Sequence, residues 1–185
     1  TSPPTKLFTP TTCHKMHNSD LPALVISDID GVMTDGGMYY TAQGDVMKRF
    51  CVKDGWGVAF LRSMGIETAI MTGENTPIVT QRAAKLKIDL CFIGVKDKPE
   101  RARRLCHERD ITLDDIAFIG DDINDLPLLR SVRWRGCPSN TPDYVAQYAN
   151  YRGSVHGGHG AFREFVESIL RDAGVLDAAI AATIP

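Results

Sequence analysis

Three carboxylates fall within eight residues in the stretch Asp28-Ile29-Asp30-Gly31-Val32-Met33-Thr34-Asp35, directly after the apolar run Leu21 to Ser27. Charge at the end of a buried strand is costly unless something positive pairs with it. Three further polar clusters follow apolar runs: Thr72-Gly73-Glu74, Lys96-Asp97-Lys98, and Gly120-Asp121-Asp122-Ile123-Asn124-Asp125. Any one of them alone reads as a turn, because Asp, Asn, Gly and Thr are favoured in loops. Together they carry complementary chemistry. Asp28, Asp30 and Asp121 offer hard oxygen ligands, which suit an octahedral Mg²⁺ better than Zn²⁺. Lys98, or Lys96 in its place, and Thr72 supply donors for a tetrahedral oxyanion, joined by backbone N–H groups of the turn from Asp28 to Gly31. This is the composition of a phosphate site. Phosphate-monoester hydrolysis is so slow unaided that enzymes supply up to ~10²¹-fold acceleration, which calls for charge neutralisation and an in-line nucleophile. A carboxylate can be that nucleophile, through an aspartyl-phosphate.

The elements that must position these residues alternate along the chain. Strands are expected at 24–27, 67–71, 90–94, 116–120 and 131–135, and helices at 54–64, 75–87, 97–109, 122–130, 141–148 and 160–172. Strands separated by helices imply parallel pairing through right-handed crossovers, hence a doubly wound α/β sheet. Ligands of such sheets bind at the carboxyl ends of the strands, where the four clusters fall. Residues 36–52 depart from the alternation: two β-prone runs around Thr41-Ala42-Gln43-Gly44-Asp45 read as a protruding β-hairpin, placed where a lid would sit. Asp28 and Asp30 are expected to point the same way as alternate residues of an extended segment, and Asp35 to shape the turn at the root of the hairpin.

The chain of 185 residues fits one domain, with 43% apolar and 24% charged residues, so neither a disordered nor a fibrous class is indicated. We divide it into an extension at 1–22, rich in Thr and Pro, a domain at 23–174 and a tail at 175–185. Cys13, His14 and His17 in the extension read as an incidental cluster. A net charge of −2 gives no basic field for nucleic acid, and Arg101, Arg103, Arg104 and Arg109 read as a solvated helix face. The five cysteines are scattered with no C-x-x-C pair, which fits a reducing cytoplasm. No apolar run reaches the ~18 residues of a membrane span.

Asp28 to Asp35, Thr72, Lys98 and Gly120-Asp121-Asp122-Ile123-Asn124-Asp125-Leu126-Pro127 resemble, in order and spacing, the four signature motifs of the haloacid dehalogenase superfamily of phosphatases; the resemblance covers about 23 to 172. It implies a Rossmann-like core with Asp28 as nucleophile and Asp30 as the acid that protonates the leaving oxygen and then activates water. It further implies that Thr72 and Lys98 hold the phosphoryl group. Asp28, the Asp30 carbonyl and Asp121 would ligate Mg²⁺, with Asp122 and Asp125 supporting Lys98 and the metal. Only the hairpin and about 26 residues between Thr72 and Lys98 occupy the places where relatives insert large caps, so a capless chain is implied. The chain is most similar to the small tetrameric phosphatases of 3-deoxy-octulosonate 8-phosphate and of nine-carbon keto-deoxy-sugar 9-phosphates, which implies a homotetramer whose sites a neighbour completes.

The resemblance also suggests substrate contacts. Thr34 and Gly73 belong to the loops that would face the substrate. Glu74 with Arg82 and Lys85 resembles the nine-carbon branch, whereas the eight-carbon branch carries Arg at the position of Glu74; without the family, Arg82 and Lys85 read as a solvated face. His159 stands where the family's tail motif has Glu or Arg, and would reach towards a neighbour's substrate. The alternatives are a non-catalytic regulatory or oligomerisation domain, of the kind appended to sialic-acid cytidylyltransferases, and a phosphotransferase using the same intermediate.

Overall fold

The structure, a computed structural model, describes residues 21–184; the cluster of Cys13, His14 and His17 and the expected extension therefore lie almost wholly outside it. Strand β1 (Leu24–Ser27) is buried at every residue, as is β6 (Ile116–Ile119), the signature of parallel strands covered on both faces. They form the centre of a six-stranded parallel sheet in the order β5-β4-β1-β6-β7-β8, with β4 at Glu67–Met71, β5 at Leu90–Phe92, β7 at Trp134–Cys137 and β8 at Tyr151–Arg152. The chain runs outwards from β1 to β4 and β5, then returns to pair β6 on the other side of β1. A crevice opens at that switch point, outside the carboxyl ends of the strands.

Two apolar clusters fill the faces of the sheet. One packs α1 (Asp54–Ser63) and α6 (Ala161–Asp172) over Val25, Ile70 and Ala117; Phe162, Phe165, Val166 and Ile169 form the buried stripe expected for the last helix. The other packs α3 (Lys98–Arg109) and α4 (Leu126–Leu129) over Leu24, Ile26 and Phe118. In α2 (Pro77–Leu86) Thr76 caps the first turn by accepting from Ile78 N–H, while Val79 and Ala83 are its buried residues.

Several expectations require correction. The strand placed at 131–135 begins at Trp134: Ser131 closes the turn after α4 by donating to the Pro127 carbonyl, and pairing with β6 starts only at Trp134. The helix placed at 122–130 shrinks to Leu126–Leu129, because the Asp125 carboxylate takes the backbone N–H groups of Asp121 and Asp122 and holds that stretch as a loop. Helix 141–148 contracts to α5 at Asp143–Ala146. The two-residue β8 carries too little pattern to read. The segment taken as a tail holds α7 (Leu176–Ala181), whose Ala179 is fully buried against α1 and α6. The hairpin forms as expected, with β2 at Tyr39–Thr41 and β3 at Gly44–Met47, closed at its root by a bridge between Thr34 and Phe50.

Candidate active site

Register brings the polar clusters together. Ser27 pairs with Ile70 on one side and Ile119 on the other, so Asp28, Thr72 and Asp121 emerge within one or two residues of the same sheet level. They line a cleft of ≈270 Å³ with Asp30, Gly31, Gly36, Gly73, Glu74, Asp122 and Asn124. A cavity of similar size, ≈260 Å³, lies at the opposite end of the sheet beside Glu67 and Leu90, where no strand delivers a carboxyl end.

After Asp28 the chain does not remain extended. Val32 N–H and Thr34 N–H both return to the Ile29 carbonyl, and Gly31 takes φ +81°. Asp28 and Asp30 share the cleft because this turn folds back, which replaces the alternation expected of a strand. Gly31 is required twice over: its φ disfavours a side chain, and a Cβ there would run into the Asp121 carboxylate. Thr34 is fully buried, and its hydroxyl is engaged with Gly31 N–H, Gly36 N–H, the Ile29 carbonyl and Asp30 Oδ1. It pins the turn. Asp35 accepts from Gly37 N–H and Arg49 at the hairpin root, and the Gly37 N–H foremost holds its carboxyl below the usual range.

Lys98 opens α3 behind the Asp97 cap, whose carboxylate accepts from Glu100 N–H. The ammonium is 2% exposed and reaches Asp28 Oδ1 at 3.0 Å and Asp125 Oδ1 at 2.5 Å. Lys96 is exposed, so of the two lysines it is Lys98 that meets the aspartates. Burial opposes the charge on Lys98, but Asp28 and Asp125 outweigh it and its pKa is raised. Burial also raises the Asp28 carboxyl well above its ordinary value, with Asp125 adding to the effect and Lys98 opposing it. Asp121 is pushed up to about 7, by burial first and then by Asp125 and Asp122. Thr72 is buried and its oxygen accepts from Glu74 N–H, which leaves the hydroxyl proton to donate into the cleft.

Carboxylate oxygens of Asp28, Asp121 and Asp125 lie within 4.8 Å of one another. Asp125 is committed elsewhere: one oxygen binds Lys98 and the other accepts from Asp121 and Asp122 N–H. Asp28 and Asp121 remain as hard oxygen donors, and burial foremost, with Asp125 adding to it, makes both resist ionisation. That donor set fits a divalent cation such as Mg²⁺, whose charge offsets the repulsion.

Other expected residues fall elsewhere. Asp122 does not meet Lys98; its carboxylate caps the turn at Ile123 N–H. Arg82 donates to the Cys51 carbonyl at 2.9 Å and lies over the Phe50 ring, away from the cleft. Lys85 is exposed farther along α2. His159 sits in a separate depression with Lys53, Val155 and Arg163, its ring against the Gly157 carbonyl. Gly73 and Glu74 do line the cleft. One residue escaped sequence reasoning altogether: Lys48, from the return limb of the hairpin, stands 2.6 Å from Asp30 Oδ1. Its only signal was a basic residue closing a β-prone run, and nothing local ties it to a carboxylate 18 positions earlier.

A family profile for haloacid dehalogenase-like hydrolases matches residues 57–133. The chain is 38% identical over 150 residues to the 3-deoxy-D-manno-octulosonate 8-phosphate phosphatase of Haemophilus influenzae, covering 81% of this chain and 83% of that protein. A cobalt-bound structure of the H. influenzae phosphatase superposes with a TM-score of 0.82 at 35% identity, covering 87% and 94% of the two chains. The Moraxella catarrhalis phosphatase, in complex with a magnesium ion, a phosphate ion and the sugar acid, gives 0.84 at 33% identity, covering 90% and 96%.

Proposed function

The chain belongs to the haloacid dehalogenase-like hydrolases and is a phosphoric monoester hydrolase, and from that premise we propose that it removes the terminal phosphate of 3-deoxy-D-manno-octulosonate 8-phosphate. The observation that carries the chemistry is the buried Lys98 ammonium between Asp28 and Asp125. It holds the Asp28 carboxylate in place as a nucleophile and offers a cation to the phosphoryl oxygens. Asp28 attacks phosphorus, Asp30 gives a proton to the departing sugar oxygen, and the aspartyl-phosphate is then hydrolysed by a water whose proton Asp30 takes. Thr72 donates to a phosphoryl oxygen. Mg²⁺, held by Asp28, Asp121 and the Asp30 carbonyl, supplies charge neutralisation when bound. The substrate is supported by relatives named for the eight-carbon sugar phosphate.

Glu74 favours a second reading, a nine-carbon nonulosonate 9-phosphate, because it places an acid at the mouth of the cleft. Support for that reading is weaker than Glu74 alone suggests, since Arg82 is engaged with Cys51 and Phe50 within the chain. The free thiols of Cys51, Cys91, Cys106 and Cys137 support a cytoplasmic setting; among the described residues no helix is long and apolar enough to cross a membrane.

The test is kcat/KM on the eight-carbon and nine-carbon phosphates side by side. We expect preference for the octulosonate ester; the reverse preference establishes the second reading. Asp28→Asn is expected to lose activity by about 10⁴-fold or more, as removal of a nucleophile does, and EDTA to abolish turnover until Mg²⁺ is restored. Turnover that survives either treatment overturns the mechanism.

A further inference from the structure

Lys48 is enclosed: its side chain has 0% exposure, although it arises from a hairpin whose own strands are exposed. Its Nζ lies 2.6 Å from Asp30 Oδ1, and the Thr34 hydroxyl reaches the same oxygen at 3.4 Å. The other oxygen, Asp30 Oδ2, is buried and has no hydrogen-bond partner, while Asp30 itself lines the cleft. The two donors come from the two roots of the hairpin, which the Thr34–Phe50 bridge ties together. A carboxylate held through one oxygen by a buried ammonium, with its other oxygen enclosed by protein, has little rotational freedom.

Resting on the acid role of Asp30 given above, we propose that Lys48 is a positioning residue: it clamps Asp30 Oδ1 and so fixes the carboxyl at the wall of the cleft, where the scissile oxygen would lie. In the first step the bond between Asp28 and phosphorus forms as the bond to the sugar oxygen breaks. The bonding pair stays on that oxygen, which takes the proton from the Asp30 carboxyl. In the second step the Asp30 carboxylate receives a proton from the attacking water, whose oxygen bonds phosphorus as Asp28 leaves. The hairpin thereby acts on the reaction through its root.

The experiment compares Lys48→Met and wild type on two esters: the octulosonate 8-phosphate, whose alkoxide leaves only with a proton, and p-nitrophenyl phosphate, whose phenolate leaves without one. Loss of a positioned acid should lower kcat/KM on the sugar ester by about 10- to 100-fold, part of the 10²–10⁴ that such a group contributes, and on the aryl ester by no more than about threefold. A purely structural role lowers both alike, and equal losses overturn the inference. Lys48→Gln, which keeps a donor and removes the charge, carries the comparison if Lys48→Met does not fold; failure of both to fold assigns Lys48 to stability and also overturns it. Asp30→Asn run on the same pair separates the two levels of argument. Ester-selective loss in Asp30→Asn with equal losses in Lys48→Met rejects Lys48 alone, whereas equal losses in Asp30→Asn reject the acid role of Asp30 and the inference with it.

Discussion

Asp54 opens α1 as a carboxylate of 1% exposure that belongs to no part of the cleft. Its Oδ1 accepts from Arg163 N–H at 3.1 Å, at the start of α6, and its Oδ2 is buried without a hydrogen bond. Burial pushes its pKa up to about 6, with Arg163 N–H and then Arg82 opposing. The folded state therefore holds a proton that the unfolded chain, with an ordinary value near ~3.9, releases. The contribution of Asp54 to stability is most favourable below that lower value and falls as pH rises from about 4 through about 6, by about 3 kcal/mol in all. In Asp54→Asn the acceptor for Arg163 survives and the charge does not. Thermal midpoints at pH 5 and pH 7 should differ less in the variant than in wild type; an undiminished difference would refute this account. The burial of Asp54 was not legible in the sequence, because burial of an acid at a helix start is settled by the helix that packs against it.

At the scale of elements, the loop of 153–160 buttresses the turn that carries Asp28 and Asp30. Gly158 N–H donates to the Val32 carbonyl at 2.9 Å, and a Cβ on Gly157 would run into the Gly31 carbonyl. Gly157→Ala must displace backbone, at a cost of about 2 kcal/mol or roughly 6 °C in Tm. Because the displaced backbone holds the candidate nucleophile, kcat should fall as well, and a variant with wild-type Tm and kcat would show that the contact is soft. Strands β1, β4 and β6 were legible because parallel strands covered on both faces read as short continuous apolar runs. Trp134 to Cys137 was not, since Val132 and Trp134 continue an alternation across a turn that the Ser131 bond to Pro127 ends. The loop at Asp121 was mistaken for helix because the bond that unwinds it comes from Asp125, a side chain whose partner only the fold supplies.

At the scale of the whole molecule, the hairpin presents exposed apolar surface among the described residues. Tyr39 and Tyr40 on β2 and Val46 and Met47 on β3 are 46%, 60%, 53% and 53% exposed, and a two-stranded ribbon has little stability by itself. Exposed apolar surface of this kind marks an interaction site. We propose that copies of this chain cover it in a homotetramer. Val46→Glu should lower the mass measured by light scattering on a sizing column, and a mass unchanged from wild type, or a wild-type monomer, would reject the assembly. If neighbours complete the cleft, the same variant should lose turnover of the sugar ester while Asp28 and Lys98 remain in place. His159, outside the cleft of its own chain, would then have a substrate to reach only across that interface.

The sequence by itself determined the layout: the alternation of apolar runs and amphipathic segments specified a doubly wound sheet, and polar clusters directly after those runs had to meet at its carboxyl edge. Those are local properties, written in periodicity and order. The tertiary structure alone decided which charges face one another. It selected Lys98 over Lys96, committed Asp125 to Lys98 and its own loop, turned Arg82 towards Cys51 and Phe50, and brought Lys48 to Asp30. A carboxylate's partner depends on burial and on approach across elements distant in sequence, and neither has a period that a single chain can display.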